Sequence, residues 1–153
     1  MAMASGRDIV VTAAALLIAA AWGQAFSQER WREIYSCGPS AGHSYFFNGQ
    51  GWSDDGISKG TIVLRRRGTD FDVQVGDATG GYFSATEDGA MVIVREDEGA
   101  LQVLVFYPRA TIETYLFSRP ANGRTTLAWT SSKRSGIADR ASVFISSCTV
   151  RGS

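Results

Sequence analysis

The chain has 153 residues, with 15 basic side chains against 15 acidic ones and a single histidine. That length suits one domain with a sizeable core. The charge balance argues against nucleic-acid and anionic-membrane partners, which are held by a basic excess.

Residues 1–25 read as an export signal. Arg7 gives a positive start, residues 9–21 form a run of about 13 mostly apolar positions, and Gly23 and Ala25 place small residues where a signal peptidase cuts. Cleavage is expected after Ala25, with Ala21 or Ser27 as alternatives, leaving a single domain over residues 26–153. A membrane-spanning helix needs about 20 apolar residues, so no span is expected after the signal is removed. The expected compartment is periplasmic or extracellular.

Two cysteines accompany the leader, Cys37 near the start of the remaining chain and Cys148 near its end. In an oxidising compartment such a pair reads as a disulfide, and it is too widely spaced for a redox pair or a zinc set.

Residues 26–36 fit either a short helix begun at Ser27 or an extended lead-in to Cys37. Residues 37–42 are turn-rich, and residues 44–47 (SYFF) make a first strand. Asn48 to Gly51 carry a left-handed turn signal. Residues 52–60 (WSDDGISKG) read as a polar loop headed by Trp52.

Residues 61–66 and 71–75 form a hairpin. In its second arm Phe71, Val73 and Val75 alternate with Asp72 and Gln74, the pattern of a half-buried antiparallel strand. A short strand at 82–85 follows. Residues 91–95, 101–107 and 111–117 are then three consecutive strands rich in Val, Ile, Tyr and Phe, which pack well on a pleated surface. Strands at 124–131 and 142–148 flank a polar excursion over 132–140.

About eight short strands at intervals of about ten residues, joined by tight turns, indicate an all-β antiparallel meander. An up-and-down barrel and a two-sheet sandwich both satisfy it. The barrel is preferred because closure removes exposed edges.

Cys37, residues 42–47 (GHSYFF), residues 51–60 (GWSDDGISKG) and residues 77–80 (DATG) resemble a family of small exported proteobacterial proteins with no assigned activity. That resemblance implies export and an all-β domain and carries no catalytic residues. A looser resemblance is to periplasmic inhibitors of C-type lysozyme, through Tyr35, Cys37, Cys148 and the segment Ala78 to Tyr82. Thr79 stands where those proteins have a serine, Tyr82 comes one residue early, and their following Trp-x-Lys-Gly sequence is missing.

His43 has Ser44 beside it and Asp54 and Asp55 in the next segment. A hydrolytic triad needs all three groups within hydrogen-bond reach, and neighbours on a strand point to opposite faces. No catalytic residue, metal ligand or cofactor is therefore assigned. Asp54-Asp55-Gly56 lacks the alternating oxygen ligands of a calcium loop. Arg65, Arg66 and Arg67 read as a solvated basic strand end, with Arg65 and Arg67 sharing a face.

The chain is thus expected to be an exported, non-enzymatic binding domain that uses loops at one end of a β-barrel. Trp52, Asp54, Asp55 and Tyr82 are its candidate binding residues, and the partner is an unknown protein or a small apolar ligand. The alternatives are a periplasmic inhibitor of a hydrolase such as lysozyme and an exported hydrolase built on Asp54 and Asp55.

Overall fold

A computed structural model describes residues 29–77, 79–121, 123–134 and 139–151. The expected signal at 1–25 lies outside the described residues. Among the described residues ten strands form one antiparallel sheet: β1 Arg32–Phe46, β2 Gly51–Asp55, β3 Thr61–Arg67, β4 Asp70–Gly76, β5 Tyr82–Ser84, β6 Met91–Asp97, β7 Ala100–Tyr107, β8 Thr111–Ser118, β9 Thr126–Lys133 and β10 Arg140–Val150. Their spatial order is β5-β4-β3-β1-β10-β9-β8-β7-β6, with β2 beside the far half of β1.

The sheet is curled into a half-barrel. The expected all-β antiparallel fold is shown, with the barrel-like curl carried by one sheet of ten strands among the described residues. Its first and last strands pair in the middle, so β5 and β6 end the strand order, and β2, paired with β1 alone, leaves a further free edge among the described residues. The curl brings β4 toward β6 without hydrogen-bonded pairing.

The long first strand departs most from the sequence reading. From Arg32 the chain is extended rather than helical, and the stretch read as turn-rich lies inside β1. Gly, Pro and Ser are poor strand formers on their own. Here β1 is held on both sides, by β10 along its length and by β3 and then β2 on the other edge.

The irregularity the composition announces is a bulge between Cys37 and Ser40. Pro39, which has no N–H to offer a ladder, is tolerated at such a point. Across the bulge the inward phase changes from Tyr35 and Cys37 to Ser40 and Ser44, all buried. Ser40 also fixes the break between β2 and β3, since its N–H donates to the Ile57 carbonyl at 3.1 Å and its Oγ accepts from the Ile57 N–H at 3.2 Å. Gly42 is required for close approach, because a Cβ there would collide with the Val143 carbonyl oxygen.

The concave face holds the core. Tyr35, Ile62, Leu64 and Val73 on one flank meet Leu101, Val103, Tyr115, Phe117, Leu127, Trp129 and Phe144 on the other. Tyr35 stacks on Phe117 with ring centroids 4.8 Å apart, although three strand steps separate them around the sheet. The disulfide is formed, and Cys37 and Cys148 are direct register partners of β1 and β10.

A candidate binding surface on the β1–β2 hairpin

Register sorts the nominated residues. Tyr45 lies opposite Trp52 and His43 opposite Asp54, and these four side chains project from the convex face. The segment read as a polar loop is therefore strand β2 up to Asp55. Trp52 is 69% exposed yet packs edge-on against Tyr45 at 5.3 Å, and Tyr45 packs the same way against Phe47 at 5.1 Å.

The turn beneath these rings is well tied. Asn48 Oδ1 accepts the Gln50 N–H at 3.1 Å, the Phe47 N–H donates to the Asp139 carbonyl at 3.0 Å, and Gly49 takes a positive φ of 94°. Gly49 supplies the left-handed conformation expected there, within a four-residue connection from Phe46 to Gly51.

His43 Nδ1 is 3.0 Å from Asp54 Oδ1, with both side chains mostly in solvent. An exposed pair of this kind adds little stability. Ser44 is turned to the other face, as strand alternation requires. It is fully buried, donating to Asp55 Oδ2 at 2.6 Å and lying 2.5 Å from Ser142 Oγ. The histidine and the serine thus have different aspartates on opposite sides of the sheet.

Asp55 belongs to a polar row across the concave face. Arg140 Nη1 donates to Asp55 Oδ2 at 3.3 Å. Glu113, Ser131, Ser142 and Ser44 are successive register partners through β8, β9, β10 and β1. Tyr115 donates its hydroxyl to Glu113 Oε2 at 2.5 Å and Ser131 donates to Oε1 at 3.3 Å. Below the row, Trp129 lies between Tyr115 and Phe144, at 5.8 Å and 4.7 Å. Among the described residues Trp129 Nε1 and Arg140 Nε are buried without a hydrogen-bond partner.

Burial raises the Glu113 carboxyl above the usual range, against the hydrogen bonds it accepts from Tyr115, Ser131 and Tyr107, which lower it. The folded chain then keeps a proton that the unfolded chain releases, so stability should fall as pH rises from the ordinary carboxylate range through the raised value. Glu113→Gln should remove that slope. Melting temperatures measured across pH would show the variant gaining on the wild type toward neutrality, and parallel curves would refute the assignment.

Sequence reasoning missed Glu113. The available signal was its place in the Glu113, Tyr115, Phe117 phase of 111–117, but the opposite phase, Ile112 and Leu116, is equally apolar and hides which side is in.

Tyr82 stands apart. It is exposed beside Phe83 on edge strand β5, three strand steps from β1, and pairs with Gly76. The turn before it is fixed by Asp77 Oδ1, which accepts from Thr79 Oγ1 and the Thr79 N–H at 2.8 Å and from the Gly81 N–H at 2.9 Å. The Thr79 hydroxyl, then the backbone donors of Gly81 and Thr79, hold the Asp77 carboxyl below its usual range. The four nominated residues therefore occupy three places: Trp52 and Asp54 on the convex hairpin face, Asp55 inside, and Tyr82 at the β5 edge.

Arg65 and Arg67 share a face, as read, but are not simply solvated. Both guanidinium groups lie over the Trp31 ring, at 4.9 Å and 4.6 Å. A cavity of about 370 Å³ opens beside them, where β4 nears β6, lined by Trp31, Arg67, Phe71, Thr86, Val92 and Val94 among others. Among the described residues no three His, Cys, Asp or Glu side chains gather as a metal site would need. Comparison with protein-family models, curated proteins and solved structures gave no match.

Proposed function

We propose that the protein is an exported binding domain without catalytic activity of its own, which engages a protein partner through the β1–β2 hairpin. One observation carries the reading: Tyr45, Phe47 and Trp52 pack on one another while remaining exposed on a well-tied turn. Rigid aromatic side chains of this kind supply most of the energy at protein interfaces. The apolar leader and the disulfide support export. Side chains occupy the concave face, which favours a protein partner over a small apolar cargo.

Native mass spectrometry of the mature protein, isolated from the compartment into which it is exported, tests this. A partner is expected to stay bound to the wild type and to bind Trp52→Ala about 30-fold or more weakly, the loss of a hot-spot side chain. A bound small molecule, or a protein held equally by wild type and variant, would overturn it.

A second reading, inhibition of a hydrolase such as lysozyme, draws on the Asp77-pinned turn with Tyr82 exposed after it. Lysozyme assayed with and without the protein separates the two.

A further inference from the structure

Where the curl brings β4 toward β6, the two strands share no hydrogen bonds. Among the described residues β5 pairs only with Gln74 to Gly76 of β4, and β6 pairs only with β7. The start of β4 and the outer edge of β6 therefore flank an open seam, and the cavity of about 370 Å³ lies in it. Trp31 and Phe71 form its wall on one side and Val92 and Val94 on the other, with Arg67 and Asp70 at the β3–β4 turn. A cavity of about 150 Å³ is enough for one benzene ring, so this one has room for a two-ring body.

Charge decides the kind of ligand. Aromatic faces attract cations, but here the protein's own arginines already cover them. Arg65 and Arg67 lie over Trp31 at 4.9 Å and 4.6 Å, and Arg66 lies over Phe71 at 5.3 Å. Three guanidinium groups on two rings turn a cationic ligand away. Of the pair over Trp31, Arg65 is committed, donating to Asp72, Ser84 and Glu87. Among the described residues Arg67 makes one hydrogen bond, from Nη2 to Asp70 Oδ2 at 3.4 Å, in a pair open to solvent. Exposed pairs of this kind are weak, so most of the Arg67 fork is available beside the cavity. Stacking on Trp31 holds it in place, and a guanidinium takes a carboxylate through two parallel N–H bonds.

We propose that this seam binds a small amphiphilic carboxylate, its apolar body between the aromatic and valine walls and its carboxylate on Arg67. About a dozen ligand atoms support a Kd on the order of 0.1 mM, and a ligand held so weakly leaves during isolation. The seam lies apart from the filled concave core and from the β1–β2 hairpin. Native mass spectrometry of the hairpin's partner therefore does not read it.

Titrating the mature protein with naphthoate, followed by NMR at the Trp31 indole N–H and the Val92 and Val94 amides, tests the proposal. Saturable shifts at all three are expected. Naphthamide, neutral and of the same shape, should bind the wild type at least tenfold more weakly. Arg67→Gln should weaken naphthoate binding by about tenfold or more, and Asp70→Asn, which frees the fork, should tighten it severalfold. Circular dichroism confirms that both variants stay folded. Trp52→Ala should bind naphthoate as the wild type does, whatever becomes of the hairpin's own partner. No saturable shift at millimolar naphthoate, equal binding of the amide, or an indifferent Arg67→Gln would each overturn the proposal. So would a loss of binding in Trp52→Ala, which would place the ligand at the hairpin.

Discussion

Replacing Cys37 and Cys148 together by serine is expected to lower stability by about 4 kcal/mol, near the upper end for one crosslink. The bridge spans 111 positions of sequence, a long loop whose closure removes much of the freedom of the unfolded chain. Its position adds to this. β1 to β5 pair among themselves, β6 to β10 pair among themselves, and the β1–β10 ladder is what joins the two five-stranded groups.

That ladder brings together residues about a hundred positions apart, the costliest kind of contact to form. Without the bridge, the stacking of Tyr35 on Phe117 and the rest of the shared core must hold the groups together alone. Urea unfolding of the oxidised wild type and the double variant measures the difference. A loss below about 1 kcal/mol would mean that the unfolded chain already keeps its ends together, and the chain-entropy account would fail.

What could be read from the sequence follows the range of the contacts. The hairpins β3–β4, β6–β7 and β7–β8 were legible within one or two residues, because alternation, charged tips and short turns are local. β1 was not, since its Gly38-Pro39-Ser40 stretch is extended by neighbours contributed from far along the chain. The sequence's one hint of the β1–β10 pairing was the cysteine pair.

Trp52 and Asp54 stood out as side chains, but their strand was taken for a loop, and only register divides Asp54 from Asp55. The exposed apolar side chains of β6 and β8, Met91, Ile93, Ile112 and Leu116, were hidden for a related reason. Residues 91–94 and 103–106 are apolar in both phases, so alternation could not say that one phase remains outside.

The same blind spot explains Asp72, where the second large effect is expected. It sits in the outward phase of β4, opposite Val73, and would be a solvated carboxylate on an uncovered strand. Instead residues 84–87 fold over it and it is fully buried. Asp72 Oδ2 accepts from Arg65 Nε at 2.7 Å and from Ser84 Oγ at 3.0 Å, and Oδ1 accepts from the Thr86 N–H at 2.9 Å.

Asp72→Ala leaves a mostly buried guanidinium and a backbone donor without their acceptor, a loss of about 3–5 kcal/mol for a broken buried pair. Asp72→Asn, which keeps one carbonyl oxygen and the shape, should fall between. The damage should begin locally. The Ala85 N–H donates to the Val73 carbonyl at 2.9 Å and the Ala90 N–H to the Ala85 carbonyl at 2.8 Å, so both depend on the segment that Asp72 anchors.

Hydrogen exchange at those two amides should therefore accelerate in Asp72→Ala before the β7–β8 ladder loses protection. If the amides of β7 and β8 lose protection to the same extent, the carboxylate supports the whole sheet rather than one flap. If neither stability nor exchange changes, Arg65 must find compensation elsewhere, with Glu87, 3.4 Å from its Nη2, the nearest carboxylate available.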